Sequence, residues 1–413
     1  MLMPWMRRIG AAVFTIGFLP CASFAQESSP WDTRIVGDAF LSWRSNITVW
    51  YENYDRRRET TGDQYFTFDR LRLGAESLND DGLSVRLSME VTQPDASQQG
   101  RKGAYISPRD MEEPPAWQLA PQAAWARYQA GRGFAISGGL VPTSYIGFLN
   151  KAWRFRFLEK SPYELWLFRR APLTDRFIVL EDAVSLRPVA DPREPPTETD
   201  LGVTIDGRPL GPFVEYQIGY YAGEGNAIAE TSPGKAGEAR LTLYPLANVD
   251  LLEGLSLTGF VHAEKVEPDE EETLFRYCGL FHYSVLTRHG RSLGLGAELD
   301  NQIYRPRRDA TEHEIIHSIL FSFFFYTETA PDLFLVFRHD HLDPNNRNGT
   351  QSNGYKDEQS LFLLGLVYRF NAHVQVGGNL RLISKREEIL NNAHKNRISD
   401  PEGFSFVQLG LEF

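Results

Sequence analysis

Only two cysteines, Cys21 and Cys278, occur in this chain of 413 residues. A framework of several disulfides, of the kind that staples small secreted domains, is therefore excluded. No apolar run reaches the roughly 20 residues that a membrane-spanning helix needs. Basic blocks are scarce as well: Arg56-Arg57-Arg58 is the longest, and 54 acidic residues face 43 basic ones. A surface that neutralises nucleic-acid phosphates needs a basic patch, so no nucleic-acid partner is expected. No Pro/Ser-rich linker and no repeat of about 20 to 50 residues divides the chain into soluble units.

What is present begins with an export address. Arg7 and Arg8 precede the apolar run Ile9 to Leu19, and Ser23-Phe24-Ala25 follows with small residues at the cleavage-defining positions. This pattern predicts a signal peptide over residues 1–25. Pro20 before Cys21 is not the small residue of a lipoprotein site, and the apolar run is too short for a helical anchor. Removal of that segment leaves 41 Lys+Arg against 54 Asp+Glu, a net charge of −13, and Cys278 with no internal partner.

From Phe40 onward the sequence falls into amphipathic stretches separated alternately by short and long polar segments. Leu83, Val85, Leu87, Met89 and Val91 alternate with Ser84, Arg86, Ser88, Glu90 and Thr92, the period-two signature of a strand with one apolar face. Asn79-Asp80-Asp81-Gly82 and Gly131-Arg132-Gly133 form tight turns, whereas Pro94 to Pro115, Pro142 to Glu198, Leu342 to Asp357 and Ser384 to Glu402 form long connections. Such phased asymmetry predicts an all-β fold: a closed antiparallel transmembrane β-barrel of about 16 strands, within a range of 14–18, with short periplasmic turns and long extracellular loops. Residues 26–39 are expected to be a periplasmic segment, and 40–413 the barrel, lying in the cell outer membrane against lipid and lipopolysaccharide. Trp43, Tyr51, Tyr216, Tyr220, Tyr283, Tyr326 and Tyr368 are read as interfacial girdle aromatics. In the last strand Leu409, Leu411 and Phe413 share one face, opposite Gln408, Gly410 and Glu412. Its terminal aromatic resembles the signal by which outer-membrane proteins reach the barrel assembly machinery. The strand is expected to close the barrel against Phe40 to Glu52.

A barrel of about 16 strands is too wide for its side chains to fill, which makes a diffusion channel for small solutes the default expectation. The connection 142–198 is too long to be passive. Lys151, Arg154, Arg156, Lys160, Arg169 and Arg170, interleaved with Trp153, Phe155, Phe157, Trp166 and Phe168, would form an anion-attracting constriction if it folds inward. Packing outside as a lid or subunit contact is the alternative. Arg44, Arg70, Arg72, Arg86, Arg127, Arg240, Arg276, Arg369 and Arg381 have inward parity and are candidate pore-wall residues. Because Glu52, Glu76, Glu90, Glu215, Glu298 and Asp300 share that face, ordinary cross-strand ion pairs are the competing reading.

His313-Glu314-Ile315-Ile316-His317 matches the zinc metalloprotease pattern, but it runs into the β-branched and aromatic stretch Ile319 to Tyr326. On a strand, residues four apart stand about 13 Å from each other, too far to share an ion. His339 and His341 lack an assignable third ligand, so no metal, cofactor or enzymatic activity is expected.

The segments Phe134 to Pro142, Phe157-Leu158-Glu159-Lys160-Ser161, Thr199-Asp200-Leu201-Gly202-Val203, Phe213 to Gly225 and Arg240-Leu241-Thr242-Leu243-Tyr244-Pro245, with the closing strand, resemble the phosphate-selective porin family. The resemblance implies a trimeric, sixteen-stranded anion porin of a Gram-negative outer membrane. Two other classes remain open: a barrel sheath around a multihaem cytochrome, and a metallohydrolase using His313, Glu314 and His317.

Overall fold

The computed structural model describes residues 31–48, 64–92, 118–131, 133–163, 198–223, 234–267, 272–286, 291–305, 316–343, 358–371, 373–387 and 397–412. Sixteen strands follow in chain order: β1 (Trp31–Thr48), β2 (Gln64–Asn79), β3 (Leu83–Thr92), β4 (Gln118–Gln129), β5 (Ala135–Pro142), β6 (Thr199–Gly207), β7 (Val214–Tyr221) and β8 (Ala236–Leu243). The second half comprises β9 (Leu255–Glu267), β10 (Glu272–Leu286), β11 (Ser292–Arg305), β12 (Ile316–Ala330), β13 (Leu333–Asp343), β14 (Gln359–Arg369), β15 (Val374–Glu387) and β16 (Arg397–Glu412). Every strand pairs antiparallel with its chain neighbours, and β1 pairs with β16 from Asp38 opposite Glu412 to Thr48 opposite Glu402. Closure leaves no strand edge to be desolvated in hydrocarbon, where each unpaired backbone group would cost several kcal/mol.

The alternation of side chains sets the two surfaces. On β14, Phe362, Leu364, Leu366 and Tyr368 are exposed outward while Leu361, Leu363 and Val367 are buried inside. On β16, Val407 is outward and Gln408 is buried on the inner face, as expected from the period; Phe413 lies outside the described residues. β1 begins at Trp31, nine residues before the expected Phe40, because Gly37 and Asp38 interrupt the apolar parity without interrupting the ladder to β2. Pro121, which can donate no ladder hydrogen bond, sits where the β3–β4 register shifts between Ser88 and Met89. Gly139 holds φ at 116°, and a Cβ there would stand 2.3 Å from the carbonyl oxygen of Ala124.

Connections after even-numbered strands are short and those after odd-numbered strands are long, with two departures: only residues 268–271 join β9 to β10, whereas residues 244–254 join β8 to β9. The connection after β5 carries the helix α1 (Ile146–Trp153). It ends at Arg154, whose left-handed φ of 65° directs its N–H back to the Asn150 carbonyl at 2.9 Å.

Candidate functional site: the bore and its inward loop

Residues 143–163 pack against inward-facing side chains from many strands. At the base, the Thr143 N–H donates to the Glu198 carbonyl (3.0 Å), and the Ser144 N–H donates to Glu238 on β8 (2.8 Å). Tyr145 stacks on Phe260 of β9 at 4.5 Å and donates its hydroxyl to Glu298 of β11 (2.8 Å). Burial and the neighbouring carboxylate hold this phenol well above its ordinary ionisation range. The Trp153 edge meets Phe324 of β12 at 5.5 Å, and Phe155 meets Tyr326 at 5.2 Å and Phe334 of β13 at 5.8 Å. Phe157 approaches Phe40 of β1 at 6.4 Å. The Leu158 carbonyl accepts from Asn379 of β15 (3.2 Å) and Gln408 of β16 (3.0 Å), while Glu159 pairs with Arg381 at 2.6 Å. Tyr163 then returns to β10, where Arg276 donates to its hydroxyl (3.2 Å).

The loop therefore crosses the bore, from β8 and β9 to β16 and β1. Its apolar side chains, Ile146, Leu149, Trp153, Phe155, Phe157 and Leu158, form one buried cluster with Phe260, Leu280, Leu320, Phe324, Tyr326, Phe334, Val336, Leu361, Leu363 and Ile383 of the wall. Small residues let it seat closely: a Cβ at Gly377 would lie 2.5 Å from Leu158 and 3.0 Å from Phe157. Side chains on the other edge of the loop stay accessible, with Lys151 and Lys160 exposed and Arg154 and Arg156 half-buried. Arg169 and Arg170 lie outside the described residues.

The inner wall of β2 to β6 has the opposite character. Arg72 pairs with Glu90 and with Glu198, each at 2.5 Å, and Arg86 lies 3.7 Å from Glu76. Arg127 forms a two-point pair with Asp206, its Nη2 donating at 2.7 Å, while Ser88 donates to Gln122 at 2.7 Å. Arg156 is close enough to Arg72 for the two charges to interact. The bore thus has a filled apolar side and a polar, ion-paired side, with the basic edge of the loop between them.

Most candidate wall arginines are held by partners. Arg240 donates to Glu215 (2.7 Å) and lies over Phe148 at 4.3 Å, Arg276 donates to Gln302 (3.1 Å), and Arg369 lies over Phe334 at 4.8 Å. Arg44 and Arg70 are on β1 and β2, with side chains outside the described residues. Tyr326, expected in a girdle, is buried inside the bore beneath Phe155. The apolar inner face was missed because lumen-facing positions were expected to be polar. Its signal was present in Phe323-Phe324-Phe325-Tyr326 and Leu361-Phe362-Leu363-Leu364, where both parities are apolar.

His317 stands on strand β12 opposite Ile303, so the metalloprotease pattern has no helix there; His313 and Glu314 lie outside the described residues. The His339 ring packs on the outward Phe362 at 4.3 Å.

No protein-family model and no curated protein sequence matches this chain. Solved structures do. OmpT of Vibrio cholerae matches at a TM-score of 0.56 and 9% identity, covering 94% of this chain and 99% of that one. An anion-selective porin from Comamonas acidovorans matches at 0.56 and 9%, covering 93% and 100%, and the outer membrane channel DcaP of Acinetobacter baumannii at 0.54 and 10%, covering 94% and 99%. At these identities the likeness is one of fold: the chain has the sixteen-stranded barrel of Gram-negative outer-membrane porins.

Proposed function

We propose that this chain is a passive outer-membrane channel for small hydrophilic solutes, with a preference for anions, phosphate-like ones included. The observation that carries this reading is the two-sided bore. Residues 143–163 bury their apolar side on β9 to β16 and keep Lys151, Arg154, Arg156 and Lys160 on the accessible edge. Cations at a low-dielectric constriction concentrate anions even when the whole chain is acidic. The arginines of β2 to β6 contribute less, since Arg72 and Arg127 are neutralised by carboxylates.

A sheath around a haem protein would need an open bore, and the chain's own loop occupies much of it. One solved OmpT structure, at a TM-score of 0.53, is described as a trimer form, and we infer the same assembly here. Export by a cleaved segment over residues 1–25 and insertion through the closing strand, with Leu409 and Leu411 toward lipid and lipopolysaccharide, complete the reading. Reconstitution into planar bilayers tests it: steady ohmic openings are expected, and an inserted, folded barrel without conductance would overturn it.

A further inference from the structure

At the short-turn end of the barrel, a cavity of about 500 Å³ opens between the connections that follow β6 and β8 and the adjoining ends of β10 and β11. Arg154 from the inward loop lines it together with Arg208, Tyr244, Ser284 and Tyr326, and Glu253, Pro212 and Leu293 also face it. Arg154 is held in the left-handed backbone region, which L-residues adopt at a steric cost. Its guanidinium lies 5.5 Å from the centre of the Phe334 ring and 5.9 Å from that of Tyr326. Among the described residues it forms no ion pair. Glu328, whose field it shares, instead accepts the backbone N–H groups of Ser292 (2.9 Å) and Asp332 (3.0 Å). Arg208 differs, because Glu215 accepts its Nη2 at 2.7 Å.

A guanidinium laid on aromatic rings keeps its N–H donors for a further acceptor, and two-point recognition of a carboxylate is what that fork does best. The cavity has the volume of a small-molecule site. We propose that it binds a small organic anion with a flat apolar body, such as an aromatic monocarboxylate. The carboxylate sits on Arg154, Arg208 offers only its Nη1 as a further donor because Glu215 takes its Nε and Nη2, and the ring packs against Tyr244, Tyr326 and Pro212. Inorganic phosphate would meet the cations but leave Tyr244, Tyr326 and Pro212 without a packing partner. The site stands whether or not the bore selects anions, since it concerns residence rather than passage.

Calorimetric titration of the detergent-folded barrel with benzoate tests this. Wild type is expected to bind benzoate, Arg154→Gln to bind about tenfold more weakly or worse, and equimolar inorganic phosphate to leave benzoate bound. The Arg208 side chain is 58% exposed on a turn, so Arg208→Gln keeps the barrel intact and should weaken binding by a smaller factor. Absence of benzoate binding by wild type, unchanged affinity in folded Arg154→Gln or in Arg208→Gln, or displacement by equimolar phosphate would overturn the proposal.

Discussion

Arg338 shows how an interior arginine of this barrel is used. It is fully buried, donating from Nε to Asp340 at 2.9 and 3.0 Å, from Nη2 at 2.5 Å, and from Nη1 to the Lys160 carbonyl, with Trp153 across its face at 5.1 Å. A buried pair of this kind ties the loop to the wall, and removing one partner strands the other charge. Arg338→Met is expected to destabilise the barrel by about 3–5 kcal/mol in urea unfolding, and the double substitution with Asp340→Leu to recover much of that loss. Tyr145 and Tyr163 carry a second expectation at this scale. Burial raises both phenols, so they stay protonated while the unfolded chain ionises its tyrosines near pH 10. Their contribution is fully present below that pH and is lost as pH rises through it, because the unfolded state then releases protons that the folded state retains. Alkaline titration by tyrosinate absorbance should show a late group of tyrosines, Tyr145 and Tyr163 among them, that ionise only with unfolding. The interleaved charges and aromatics that begin at Lys151 were legible in the sequence as a candidate constriction. The partner of each wall arginine was not, since pairs such as Arg127 with Asp206 or Arg381 with Glu159 join residues far apart in the chain.

For the inward loop as an element, apolar seating decides position. Trp153 is completely buried, and truncating a buried Trp costs about 3–5 kcal/mol. Trp153→Ala, or Gly377→Val, which would intrude on Leu158 and Phe157, should release the loop. Trypsin reads this directly, since Lys151, Arg154, Arg156 and Lys160 become substrates only when the chain around them can leave the wall. Protection equal to wild type in both variants would contradict the packing described. The strands themselves were legible where one parity is apolar and the other polar, as in β3, whose bounds Leu83–Thr92 coincide with the sequence reading. They were misjudged where a second surface competes. β12 and β14 are apolar on both faces because one meets lipid and the other meets the loop, and that inner partner cannot be seen from local periodicity.

On the scale of the whole molecule, a chain with net charge −11 carries Lys151, Arg154, Arg156 and Lys160 close together on the accessible edge of the inward segment. Paired charges on the wall stiffen the barrel and contribute little net field, so ion preference should be concentrated in Lys151, Arg154, Arg156 and Lys160 rather than spread over the arginines of the strands. The closed topology was legible from the phased short and long connections; the inward direction taken by residues 143–163 was not, because a loop's sequence does not state which surface will receive it. The most direct measurement is the reversal potential of the reconstituted channel under a KCl gradient, for wild type and for Lys151→Gln/Arg156→Gln/Lys160→Gln. Wild type is predicted to favour chloride and the triple variant to lose most of that preference while remaining open. Cation preference in wild type, or an unchanged reversal potential in the variant, would contradict the assignment of selectivity to the inward loop.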